Sequence, residues 1–316
     1  MRILLVNDLL LSATNPERLA VKAFHKWQSD RMLKLEDLLD KAQQRQTRHI
    51  CLFGSMFGQK IVPEKTVDDF FNAVKEEKNI QVYAFCGYEE YQLISYRNDI
   101  PSNFHLFCLD ASDSKEFNEL SITADHDTAV ITSDAAKGII VHEDDSFTIN
   151  GKTIPSFEPA GFDDAEGKEF GFMIWDTAKK DNAYEVIRDQ KYHYRSEELK
   201  ILPEDTQQDI LEKVNDIIRK ADIDTFLRIT ITGKTAFGIT INADGLKNKM
   251  LNRVFSLEVY DNSVMDVNEE MFENDISLRS EFVRLALNDE TLSEGERNQL
   301  ISYGWNALNG KGMSEE

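Results

Sequence analysis

Cysteine is scarce in this chain, and its three thiols, Cys51, Cys86 and Cys108, form no close pair in the sequence. Such a small and odd number argues against a disulfide framework and against a cysteine-ligated zinc site. Each cysteine lies in or beside an apolar, strand-like run. We therefore expect buried free thiols, as in proteins of a reducing cytosol.

Long apolar runs are also missing. The segment RILLVN at residues 2–7 is too short to span a membrane, and no small-residue cleavage site follows it. We interpret this segment as a first β-strand, and we expect a cytoplasmic protein without a membrane segment.

Positive charge is the third deficit, since 36 Lys and Arg residues face 57 Asp and Glu residues and leave a net charge of -21. Nucleic acid and anionic lipid repel such a chain unless basic groups gather locally. The nearest candidates, residues 179–180 and the group Lys247, Lys249 and Arg253, are short and are interpreted as solvated surface. We expect contact with DNA only through a partner.

Apolar strands that alternate with amphipathic helices are what the chain does contain. The first helix is predicted over 16–46, with Asn15 as its cap and Pro16 in its first turn. This alternation predicts an α/β domain over 1–181. A small α+β domain is predicted over 182–268, where Thr206 caps a helix, and helices are predicted over 269–316.

Four polar loops follow predicted strands, at the place where open α/β sheets bind their ligands. They begin at Asp8, Gly54, Gly87 and Thr132. In this order they resemble the four metal-binding loops of the SbcD- and YhaO-type DNA-repair exonucleases, a branch of the calcineurin-like metallophosphoesterases. The run PSFEPAGFDDAEGKEFGF at 155–172 is the most specific part of the resemblance. The strand FLRITITGKT and the helical residues 277–310 extend it over nearly the whole chain.

The resemblance implies a layered metallophosphoesterase-like β-sandwich flanked by helices, with a small α+β capping domain and a C-terminal helical tail. It also implies two Mn²⁺ ions, but of the corresponding ligand positions only Asp8 is matched. Ser55 stands where the family has the aspartate that bridges the ions, and Glu89 replaces the histidine that stabilises the transition state. The other degenerate positions are Leu10, Gly58, Tyr88, Ser133 and Ala135.

Loss of the bridging carboxylate is severe, because nothing else offsets the repulsion between two nearby cations. We therefore expect no catalytic residue and no cofactor. A weak Mg²⁺ or Ca²⁺ site formed by Asp8, Glu89, Glu90 and Asp134 is the alternative. A solvated acidic rim is the simpler interpretation of these four carboxylates.

Three functions remain open at this point. The first is an inactive structural or regulatory subunit that works in DNA repair with an SbcC- or YhaN-like coiled-coil ATPase. The second is a residual metal-dependent nuclease or phosphodiesterase, and the third is a module that binds a ligand other than DNA. The resemblance also allows a homodimer. The predicted partner contacts, for which packing within the chain is the alternative, are Phe282, Leu285, Leu300, Ile301 and Trp305.

Overall fold

The structure is a computed structural model that describes residues 1–14, 19–143, 146–165, 168–179, 183–237, 239, 241–250, 253–267 and 275–308. It comprises two compact units, Met1–Tyr192 and His193–Glu316. In these described ranges, no helix combines the length and the apolar character that a membrane crossing requires. The predicted helix start at Asn15 and Pro16 lies outside the described residues.

The first unit contains a mostly parallel sheet. Its strands are β1 (Arg2–Asn7), β2 (His49–Phe53), β3 (Gln81–Cys86), β4 (Phe104–Cys108), β11 (Gly171–Asp176) and β12 (Ala183–Arg188). The order is β12-β11-β1-β2-β3-β4, with β1 to β4 parallel and β11 antiparallel to both of its neighbours. Because β12 belongs to this sheet, the unit extends past the domain boundary that the sequence placed at residue 181.

This sheet is buried on both faces. Leu4 and Val6 of β1 belong to the core shared with the helices, whereas Ile3 and Leu5 belong to the core shared with a second sheet. Burial on both faces explains why the strands read as continuous apolar runs. The helices of the unit are α1 (Val21–Gln44), α2 (Glu64–Glu76), α3 (Tyr88–Ser95) and α4 (Phe162–Ala165).

The second sheet of this unit is an antiparallel meander in sequence order. Its strands are β5 (Asp113–Glu116), β6 (Ser121–Asp125), β7 (Thr128–Thr132), β8 (Lys137–Glu143), β9 (Ser146–Ile149) and β10 (Lys152–Thr153). The predicted turn at Asn150 and Gly151 joins β9 to β10 and is confirmed, with φ of 50° and 77°. His126 and Asp127 form a similar turn between β6 and β7, with φ of 33° and 54°.

The second unit has a parallel sheet of its own. Its elements are β13 (His193–Ile201), α5 (Gln207–Ile218), β14 (Thr225–Thr235), α6 (Ala243–Met250), β15 (Ser256–Asp261), β16 (Val264–Met265), α7 (Leu278–Leu287) and α8 (Glu294–Leu308). The strands β13, β14 and β15 run parallel, and β16 pairs with the end of β14. Thr206 is the N-cap of α5, as predicted, because Thr206 and Asp209 accept each other's backbone N–H groups.

The two C-terminal helices pack into this unit instead of forming a separate domain. Val283, Ala286 and Ile301 form a buried cluster, and Ile301 is 0% exposed. Trp305 packs against Phe237 with ring centroids 4.3 Å apart. The prediction that Ile301 contacts a partner is therefore wrong, because its side chain is enclosed by its own unit.

Candidate functional site

A cavity of about 600 Å³ lies at the carboxyl ends of β1 to β4, where the strand-end loops were expected to meet. Its volume lies within the range of about 300–1,000 Å³ that is usual for small-molecule sites. The side chains that line it come from both sheets of the first unit. They include Asp8, Ser55, Lys60, Tyr88, Glu89, Glu90, Asp110, Asp127, His142 and Phe147.

Asp8 follows β1 in a left-handed conformation, with φ of 49°. Its Oδ1 accepts the backbone N–H of Ser55 at 2.9 Å. Burial raises the pKa of Asp8 to about 6; the bond from Ser55 opposes this shift, and the negative charges of Asp164 and Glu90 add to it. A Cβ at Gly54 would lie 2.3 Å from this Oδ1, so the close approach requires glycine.

The carboxylate of Glu90 fixes the conformation of the loop at 54–58 by accepting three hydrogen bonds from it. Its Oε1 accepts the hydroxyl of Ser55 and the backbone N–H of Phe57, both at 2.8 Å. Its Oε2 accepts the backbone N–H of Met56 at 2.9 Å. The hydroxyl oxygen of Ser55 in turn accepts the N–H of Gly58 at 2.8 Å. The loop is thus closed around a carboxylate of the chain itself.

The remaining positions of the first three loops have structural partners too. Glu89 forms an ion pair with Lys60 at 2.7 Å. The backbone N–H of Tyr88 donates to the Asp110 carboxylate at 2.6 Å, and Tyr88 as a whole is 55% exposed. Leu10 presents only hydrocarbon, and its N–H donates to the carbonyl of Ser55 at 3.3 Å.

The fourth loop is not where the sequence placed it. Ser133, Asp134 and Ala135 form the turn between β7 and β8. The backbone N–H of Ser133 closes this turn by donating to the carbonyl of Ala136 at 2.9 Å. β7 begins beside Asp127, which lines the cavity, and runs away from it because the β6–β7 hairpin is antiparallel. The predicted gathering of Asp134 with Asp8, Glu89 and Glu90 is therefore wrong.

Other side chains occupy that part of the cavity, and the sequence reasoning missed them. Asp127 Oδ1 lies 3.5 Å from His142 Nδ1, and the imidazole stacks on Phe147 with ring centroids 4.3 Å apart. Asp110 lies two residues after the end of β4, so its position near a strand end was a usable signal. The proximity of Asp127 and His142 depends on the pairing of Thr128 with Val141, which no sequence motif reveals.

Two cationic side chains of α1 hold the loops behind the cavity. The guanidinium of Arg31 is buried and donates to the carbonyls of Leu9 at 3.0 Å and Pro159 at 2.6 Å. Lys34 Nζ donates to the carbonyl of Phe157 at 3.0 Å and to the Glu158 carboxylate at 2.5 Å. Burial lowers the pKa of Lys34, and Glu158 opposes that effect. Part of the distinctive segment 155–172 is thereby fixed to the helix.

The available donors do not fit a pair of metal ions. Within the described ranges, no group of three or more His, Cys, Asp or Glu side chains is arranged to hold a metal ion. The oxygens of Asp8 and Glu90 that face the loop already accept N–H or O–H groups, and Leu10 and Gly58 offer no side-chain ligand. A two-metal centre would require this loop to break its own hydrogen bonds.

Comparison with known proteins adds no assignment, since no protein-family model matches the chain and no curated protein matches it either.

Proposed function

We propose that this chain is a catalytically inactive relative of the SbcD-type DNA-repair exonucleases and serves as a structural or regulatory subunit of a coiled-coil, SMC-like ATPase. The observation that carries the proposal is the bonding of Glu90. Its carboxylate accepts three hydrogen bonds from the loop that would have to present metal ligands. Two sheets that share one core, with polar loops at the carboxyl ends of the parallel strands, support a metallophosphoesterase-like sandwich.

The surroundings of Asp8 are consistent with a structural role. Burial raises its pKa to about 6, nearby carboxylates add to this shift, and its Oδ1 is occupied by the backbone N–H of Ser55.

Metal binding and hydrolysis test the loss of activity. The full chain would be titrated with Mn²⁺ in a calorimeter and assayed on linear double-stranded DNA and on a chromogenic phosphodiester. We expect neither stoichiometric binding nor turnover. Hydrolysis that depends on Mn²⁺ and disappears in the Asp8→Ala variant would instead support a residual nuclease.

The outer side of the C-terminal helix pair is the proposed docking surface. Leu278 and Leu285 are seven residues apart on one face of α7, and Leu285 is 66% exposed. They flank Phe282, which packs against Gly304 of α8. Leu300, one turn before Gly304, is 40% exposed. We call Leu278, Leu285 and Leu300 the leucine surface, and it is suited to the apolar side of a partner helix.

Two of the predicted contact residues belong to the leucine surface, so the test can be narrow. An SbcC- or YhaN-like ATPase from the same genome would be captured with wild-type chain and with a Leu285→Glu, Leu300→Glu double variant. Ile223→Glu is the matched control, because Ile223 is 69% exposed in the same unit. We expect capture to be lost only in the double variant. Equal capture by all three proteins would contradict docking at this surface.

A further inference from the structure

A second cavity, of about 830 Å³, lies at the amino ends of β1, β2 and β3. It is therefore at the opposite end of the sheet from the loop that Glu90 closes. Two guanidinium groups, those of Arg2 and Arg48, line it. In a chain with a net charge of -21, two arginines beside one glutamate, Glu119, give this cavity a local excess of positive charge.

The acidic groups near this cavity are already engaged. Glu119 Oε2 lies 2.9 Å from His49 Nε2, and this contact lowers the pKa of Glu119. Asp176 lies 3.7 Å from the Nε of Arg2. Arg48 is exposed, and its positive charge also lowers the pKa of Glu119, although no direct ion pair joins the two within the described part of the chain. The guanidinium of Arg48 can therefore still bind an anion from solution.

The C-terminus of α1 also reaches this cavity, and an uncapped helix end would favour a cation there. Its carbonyls are capped, however. The N–H of Arg45 donates to Lys41 at 3.1 Å, and the N–H of Thr47 donates to Ala42 at 2.8 Å. Arg2 Nη1 donates to the carbonyl of Arg45 at 3.1 Å. Capping leaves the arginines as the dominant charges.

Neutral polar residues complete the lining of this cavity. The side-chain amides of Gln46 and Asn79 line the same cavity and add neutral donors and acceptors.

We propose that this cavity binds a phosphate monoester of about the size of a mononucleotide, with its phosphate held between Arg2 and Arg48. A guanidinium fork matches the oxygens of a phosphate in geometry and charge. The amides of Gln46 and Asn79 then offer hydrogen bonds to the polar remainder of the ligand. This site does not depend on the strand-end cavity or on the proposed inactive subunit.

Calorimetric titration of the full chain with AMP and with inorganic phosphate tests the proposal at about 50 mM salt, where screening is weak. We expect saturable binding of AMP, and Arg48→Gln should weaken it by about tenfold or more, as the loss of a charge-assisted hydrogen bond predicts. Arg188→Gln is the matched control, since Arg188 is an exposed arginine of the same unit outside the cavity. Absence of binding, or equal affinity of both variants, would overturn the proposal.

A second titration identifies the source of the phosphate. A single-stranded oligonucleotide that displaces AMP, and that itself depends on Arg48, would assign the phosphate to nucleic acid. An oligonucleotide that leaves AMP in place would assign it to a small molecule.

Discussion

Replacing Glu90 with glutamine is the sharpest test of how the strand-end loop is held. The change keeps the shape of the side chain but turns one oxygen into an NH₂ group. Oε1 can still accept the Ser55 hydroxyl and the N–H of Phe57, whereas the NH₂ group then faces the N–H of Met56. One charge-assisted hydrogen bond is lost, and two donors oppose each other.

The expected cost follows from these contacts. A hydrogen bond to a charged group contributes about 1.5–3 kcal/mol, and the half-buried position of Glu90 favours the lower part of that range. A cost of about 2 kcal/mol corresponds to about 30-fold faster opening of the loop. Hydrogen exchange of the amides of Met56 and Phe57, followed by mass spectrometry, measures this opening directly.

The neighbouring acid provides the control. Glu89→Gln removes a carboxylate whose partner is Lys60, so the exchange of the loop amides should not change. Glu90→Ala should open the loop further, because it leaves the Ser55 hydroxyl and two backbone N–H groups without their acceptor. Sulfate should then stabilise this variant more than the wild type, since clustered N–H groups bind anions. Equal exchange in wild type and Glu90→Gln would refute the assigned role of Glu90.

Three further predictions concern stability. The pKa of Asp8 is raised from 3.8 to about 6, so its protonated carboxyl stabilises the fold fully below pH 3.8, and this stabilisation is lost as the pH rises to about 6. About 3 kcal/mol of the unfolding free energy should therefore depend on pH in this window. Urea titrations between pH 4 and 7.5 should show this dependence in the wild type but not in Asp8→Asn. Thr47→Val should raise the unfolding free energy by about 1 kcal/mol, since it removes a buried hydroxyl without a partner in the described chain, and a loss of stability would reveal a missed hydrogen bond. Ile301→Ala should destabilise the second unit by about 2–5 kcal/mol, whereas Leu300→Ala, at an exposed position, should change it by less than about 0.5 kcal/mol; equal effects in thermal unfolding would contradict the assigned burial.

Local signals predicted most elements of the fold. The apolar runs predicted the strands β1 to β4, the capping residue Thr206 predicted the start of α5, and Asn150 with Gly151 predicted a turn. These features depend on residues close in sequence, which is why one sequence is enough to find them. The domain boundary at 181 failed because β12 pairs with β11 through hydrogen bonds, and its charged residues carry no sign of that pairing.

Placement of the fourth loop failed for a related reason. The run DTAVITSD has the same apolar pattern as the strands of the first sheet. Its direction, however, is set by the turn at His126 and Asp127, which reverses the chain and sends β7 away from the cavity. Apolar pattern identifies a strand but not the sheet that it joins, so Asp134 was assigned to the wrong end.

The C-terminal helices show the same limit at the level of single side chains. The sequence predicted Phe282, Leu285, Leu300, Ile301 and Trp305 as one set of apolar partner contacts, with packing inside the chain as the alternative. Packing divides this set, because Ile301 is enclosed while Leu285 and Leu300 remain exposed. Periodicity reports which residues share a face, but the choice between packing and docking depends on what the rest of the unit covers.

Glu90 shows how a role can be missed although the residue was singled out. As a carboxylate at a strand end it was interpreted as part of a solvated acidic rim, with a weak cation site as the alternative, whereas it accepts three hydrogen bonds from one loop. The donors are mostly backbone N–H groups, and their directions follow from the path of the loop between Gly54 and Gly58, with φ of 71° and 78°. Two glycines that bracket a short loop are typical of a backbone that gathers its amides around an anion. Here that anion is a side chain of the protein, which lies in the first turn of α3, where the helix dipole favours negative charge.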